Sequence, residues 1–159
     1  VENAAIPIVA ISAAALAGAW IIQFMGYEPC PLCLEQRIAY YAAIPAGILA
    51  VYSARRAPTI AALLLAAICL GFIYNAGLGI YHAGAEWHFW PGPDTCSGTG
   101  TLQPKNLLES LQHNTAVRCD EAALRIFGIS LAGYSVLIST ALALIGLSAL
   151  RRMRHRGWI

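Results

Sequence analysis

Cys30 and Cys33 stand two residues apart in the stretch Glu28-Pro29-Cys30-Pro31-Leu32-Cys33-Leu34-Glu35-Gln36-Arg37. A Cys-x-x-Cys pair at the start of a helix suits thiol–disulfide exchange, because the free N–H groups and dipole of a helix N-terminus stabilise a thiolate that both attacks and leaves readily. Pro31 fits a first helical turn, where its missing N–H costs nothing, so the spacing predicts a helix beginning between the two sulfurs. Arg37 follows Cys33 by four residues and shares its helical face. Its cation could lower the Cys33 pKa or donate hydrogen bonds to a carbonyl-bearing ligand; the alternative is an interfacial charge whose stem lies along apolar surface.

The elements that must position this pair follow from composition. Of 159 residues, 58% are hydrophobic and only 11% charged, with a mean hydropathy of +0.62. A soluble globule needs about 25% charged residues to cover its core, so a water-soluble fold is excluded. The charges leave four free runs, 4–25, 38–54, 57–85 and 126–150, of 22, 17, 29 and 25 residues. Each is long enough to cross a hydrocarbon core, which takes about 17 to 25 apolar residues. The expected fold is all-α: one integral membrane four-helix bundle with spans at 4–25, 38–54, 60–82 and 126–150. The first run has no basic flank or small-residue cleavage site and is expected to be a retained helix rather than a signal peptide. Six of the ten basic residues sit in two places, Arg55 and Arg56, and Arg151, Arg152, Arg154 and Arg156. Such clusters at membrane ends mark the cytoplasmic side, which puts both termini there and the connections 26–37 and 83–125 outside. A nucleic-acid patch is a poor reading of four arginines beside a membrane helix.

Four of the five cysteines fall in those two outer connections. Disulfides persist in an oxidising compartment, so Cys30 with Cys33 and Cys96 with Cys119 read as two redox pairs. Cys69, inside an apolar run, reads as a small buried hydrophobe without chemistry. The second outer loop is long, with an aromatic cluster at Trp87, Phe89 and Trp90 expected at headgroup level. Turn-forming residues surround Cys96, and Pro104 opens a short amphipathic helix with Leu107, Leu108 and Leu111 on one side. One pair near the membrane and one on an exposed loop make a relay, since exchange proceeds by thiolate attack through a mixed disulfide. No haem-attachment, phosphate-loop or iron–sulfur pattern is present in the sequence, so a lipid-soluble acceptor fits best. His82, near the outer end of the third span, is a candidate to line that acceptor's site; the alternative is an interfacial histidine. Two other classes stay open: four thiolates around a metal, and a tetraspan scaffold braced by structural disulfides.

The four-span layout, the CPLCLEQR stretch at 30–37 and the outer pair Cys96 and Cys119 resemble the bacterial disulfide-bond formation protein B family, DsbB. Members of that family reoxidise the periplasmic thiol oxidase DsbA with membrane quinone. The resemblance implies that Cys96 forms the mixed disulfide with a DsbA-like partner and that Cys119 resolves it. It also implies that Cys30 exchanges with the loop pair, that Cys33 is the sulfur beside the quinone, and that Arg37 holds and polarises that quinone. His82 matches a quinone-pocket histidine of the family by position only. The expected protein is a monomeric, quinone-dependent dithiol oxidase of the bacterial inner membrane with periplasmic cysteine loops, using ubiquinone first and menaquinone as the alternative. It is expected to bind no metal and no nucleic acid.

Overall fold

The computed structural model describes residues 1–93, 119 and 122–155. Cys96, the amphipathic helix expected after Pro104, and Arg156 lie outside the described residues. The described chain forms four long helices, α1 (Glu2–Phe24), α2 (Pro31–Ser53), α3 (Pro58–Glu86) and α4 (Leu131–His155). A short antiparallel hairpin, β1 (Arg125–Ile126) and β2 (Ile129–Ser130), leads into α4. Helix α1 packs on α2, α2 on α3 and α3 on α4, while a lighter α1–α4 contact closes the ring. The result is an up-and-down helical membrane bundle.

Local sequence explains the ends. Pro31 and Pro58 occupy the first turns of α2 and α3, where proline's fixed φ is already helical. Between α1 and α2 the chain turns at Gly26, whose φ of 97° favours glycine. The charge-free run beginning at 126 is not helical from its start. Phe127 and Gly128 take φ values of 51° and 82°, which pairs Ile126 with Ile129 across a tight hairpin and delays the helix to Leu131. At the end of α3 the helix runs past residue 82 to Glu86, because His82 and Glu86 are both turned into the bundle.

The outward faces are apolar: Ile48, Leu63, Leu70, Ile73, Leu137 and Leu144 are all exposed. Water would not tolerate that surface and lipid does. Three helices, of 23, 29 and 25 residues, are long and apolar enough to cross a membrane: α1, α3 and α4. Helix α2 is more polar, carrying Glu35, Gln36 and Arg37 early on, and it packs between α1 and α3. Inside, Ile8, Leu65, Phe72 and Leu142 form the core. A polar tie joins three helices there: Asn75 donates to Ser139 Oγ at 2.9 Å, and the Tyr40 hydroxyl meets the same oxygen at 3.1 Å. Small residues bring α3 and α4 close, as membrane helices without a hydrophobic driving force require. A Cβ on Gly146 would stand 2.3 Å from Cys69 Sγ, and one on Gly79 would stand 2.8 Å from a Val136 methyl. Cys69 is buried at this contact.

The start of α1 and the α2–α3 turn lie at one end of the bundle, where Arg55 pairs with Glu2 at 3.0 Å. At the opposite end, the first turn of α2 meets the last turns of α3.

Candidate redox site

Cys30 is the N-cap of α2, and its sulfur accepts the Cys33 N–H at 3.2 Å. The two sulfurs are 2.8 Å apart as free thiols, with Cys30 donating to Cys33. Both precede the charge-free stretch that begins at Ile38. That S–H bond is the main reason the Cys33 thiol is held below the ordinary thiol range and Cys30 is pushed well above it; burial raises Cys30 further. Arg37 acts on Cys33 in the expected direction, but its contribution is the smallest of those that act there. The pair is therefore asymmetric. Cys33 is the sulfur that ionises first, and Cys30 is the one that holds its proton.

Cys33 opens onto a cavity of about 250 Å³ between α1, α2 and α4, walled by Leu16, Ile22, Tyr40 and Ile138. Gln36 and Arg37 line the same space. Helix α1 fixes the arginine: Nη1 donates to Gln23 Oε1 at 2.7 Å, Nη2 reaches the Ala19 carbonyl at 3.4 Å, and the guanidinium lies 5.9 Å from the Trp20 ring centre. An arginine so held presents a fixed cation to the cavity instead of snorkelling freely.

His82 is placed elsewhere. It is not among the residues lining this cavity, and lies instead beside Cys30, with Nε2 at 3.5 Å from the sulfur. Its Nδ1 meets the Gln36 amide at 2.9 Å, and Nε2 is 3.7 Å from Glu86 Oε1. Cys119 is disulfide-bonded and fully buried, and packs on Cys30 and Leu32. The ligand atoms of Cys30, His82 and Cys119 lie within 4.8 Å of one another. A metal would need a thiolate from Cys119, which the disulfide denies it.

The two sulfurs thus have different neighbours. Cys30 abuts Cys119 and His82, while Cys33 faces an apolar cavity edged by a guanidinium. Gln23, Gln36 and Glu86 complete this arrangement without having been singled out in the sequence. The signal for Gln36 and Glu86 was available: a polar residue three after Cys33, and a carboxylate one helical turn beyond His82.

A helical membrane bundle with an activated dithiol at one end defines a membrane thiol–disulfide oxidoreductase. Comparison with known proteins gives the family. The family model described as disulfide bond formation protein DsbB matches residues 2–149, and the chain belongs to that family. Disulfide bond formation protein B 2 of Pseudomonas savastanoi pv. phaseolicola is 34% identical over 137 residues, covering 80% of this chain and 75% of the relative. Disulfide bond formation protein B of Burkholderia thailandensis is 32% identical over 158 residues, covering 91% and 85%. No solved structure matches the chain.

Proposed function

We propose that the chain reoxidises a periplasmic DsbA-like thiol oxidase of thioredoxin fold and passes the electrons through its two cysteine pairs to a membrane quinone, ubiquinone before menaquinone. The observation that carries this reading is a continuous arrangement: Cys119 packs on Cys30, Cys30 adjoins Cys33, and Cys33 with Arg37 lines an apolar cavity. The cavity's chemistry suits a quinone head group: apolar walls for the ring, a fixed guanidinium for a carbonyl oxygen, and a thiolate at the edge. A bound quinone supplies a two-electron, two-proton acceptor at membrane depth.

The residues divide the work. Cys96 and Cys119 form the outer pair, and Cys96 takes the partner's thiolate in a mixed disulfide. Cys119, once reduced, attacks Cys30 and expels Cys33 as a thiolate. Cys33 leaves within the first turn of α2, where the helix N-terminus and the Arg37 cation favour its negative charge. Arg37 orients the acceptor and balances negative charge developing on its oxygen. The arginine clusters at one end and the cysteines at the other support a multi-pass inner-membrane protein with cytoplasmic termini and periplasmic cysteine loops.

The test uses the purified chain with a reduced DsbA-like partner and a soluble ubiquinone analogue, following quinone absorbance. One quinone should be reduced for each partner disulfide made. Cys33→Ser should abolish quinone reduction while the outer disulfide still forms. Quinone turnover at the normal rate in that variant would contradict the assignment.

A further inference from the structure

Beside Cys30, and not lining the cavity, the bundle buries an imidazole and a carboxylate to which the relay gives no role. His82 and Glu86 are one turn apart on α3, with side chains only 3% and 4% exposed. Buried carboxylates are rare unless partnered, yet among the described residues Glu86 Oε2 has no hydrogen-bond partner. Ser130 and Arg125 of the hairpin and the Cys30–Cys33 pair act on this carboxylate, and Cys119 lies near its neighbour His82. His82 is the residue common to all of this: Nε2 is 3.5 Å from Cys30 Sγ and 3.7 Å from Glu86 Oε1, and a ring nitrogen lies within 4.8 Å of Cys119 Sγ.

Resting on the relay proposed for the two cysteine pairs, we infer that His82 is the base that takes the Cys119 proton as that sulfur attacks Cys30, and that Glu86 is a positioning residue that holds the resulting imidazolium. The step balances within the protein. The Cys119 S–H bond breaks and its proton goes to His82 Nε2; the sulfur's electron pair forms the Cys119–Cys30 bond; the Cys30–Cys33 bond breaks and its electron pair leaves on Cys33. For Nε2 to accept a proton Nδ1 must carry its own, so in both the neutral ring and the imidazolium Nδ1–H donates to the Gln36 amide oxygen, which a half-turn of the amide places there. Placing the base on the Cys30 side keeps the proton away from Cys33, which must leave as a thiolate.

The experiment is rapid mixing of the fully oxidised protein with dithiothreitol, acid quench, alkylation, and disulfide mapping by mass spectrometry. Formation of the Cys30–Cys119 bridge with an alkylatable Cys33 is followed from about pH 6 to about pH 9, across the imidazole and thiol ranges. His82→Gln should slow bridge formation about 100-fold near neutrality, with a rate that climbs about tenfold per pH unit until it meets the wild type in the thiol range. Glu86→Gln should slow it about tenfold and move the imidazole limb of the profile to lower pH, because the imidazolium loses its carboxylate. Reduction of the outer disulfide should be unchanged in both. Should His82→Gln fail to fold, Glu86→Gln carries the test, and bridge formation at the wild-type rate in that variant overturns the inference. A His82→Gln rate that equals the wild type near neutrality, or is lowered equally at every pH, also overturns it. Release of Cys33 in the wild type without any Cys30–Cys119 bridge would instead overturn the relay on which it rests.

Discussion

The asymmetry of the cysteine pair is the chemical core of the site. Because Cys30 donates its S–H to Cys33, the reduced protein should be alkylated first at Cys33, with a pH midpoint below the ordinary thiol range of about 8.5. Stopped-flow alkylation followed by peptide mapping checks this; faster labelling of Cys30 would contradict it. A thiol held low ionises, and so reacts, at a lower pH than an ordinary cysteine. Arg37 should act on acceptor binding. Losing a charged hydrogen bond costs about 1.5–3 kcal/mol, so Arg37→Met should raise the KM for quinone about 10- to 100-fold. Gln23→Leu frees the guanidinium from its 2.7 Å partner and should give a smaller rise in KM with kcat little changed. The cysteines and Arg37 were legible in the sequence because a helix fixes neighbours at three and four residues. Gln23 and the Gln36–His82 pair were not, since they meet across helices, 14 residues from Arg37 in one case and 46 apart in the other.

Charge-free runs located the helices because a membrane excludes charge from whatever faces lipid, and four such runs became four helices. Their ends were harder to read. The hairpin before α4 is as charge-free as the helix, and only the backbone at Phe127 and Gly128 separates them. Helix α2 tolerates Glu35, Gln36 and Arg37 because Gln36 is buried against α3 and Arg37 is anchored on α1. The α3–α4 contact makes a specific expectation about Cys69. Gly146→Ala would push a methyl group into its sulfur, and overpacking of this kind costs about 1–3 kcal/mol. Adding Cys69→Ala should recover most of that loss, as a double-mutant cycle on thermal unfolding in detergent would show. Cys69→Ala alone should leave electron transfer at its normal rate. Additive losses in the double variant would show that the clash is relieved elsewhere.

Taken whole, the molecule has two chemically distinct ends joined by apolar helices. One end carries Arg55, Arg56 and the α4 arginines, and the other carries the dithiol, its cavity and the buried Cys119. Composition and charge placement foretold that polarity, because both reflect what a bilayer admits. What they could not foretell is that Cys30 packs on Cys119 and His82 while Cys33 lines the cavity, which depends on α1, α3 and α4 meeting around one helical turn. The proposed function requires electrons to pass from both cysteine pairs to a quinone. The most direct measurement is anaerobic: reduce the purified protein, add a soluble ubiquinone analogue, quench with an alkylating mass tag, and count free thiols against a control without quinone. Four of the five thiols should be lost, with Cys69 alone tagged and quinone reduced in proportion. All five thiols remaining free, with no quinone consumed, would contradict the relay.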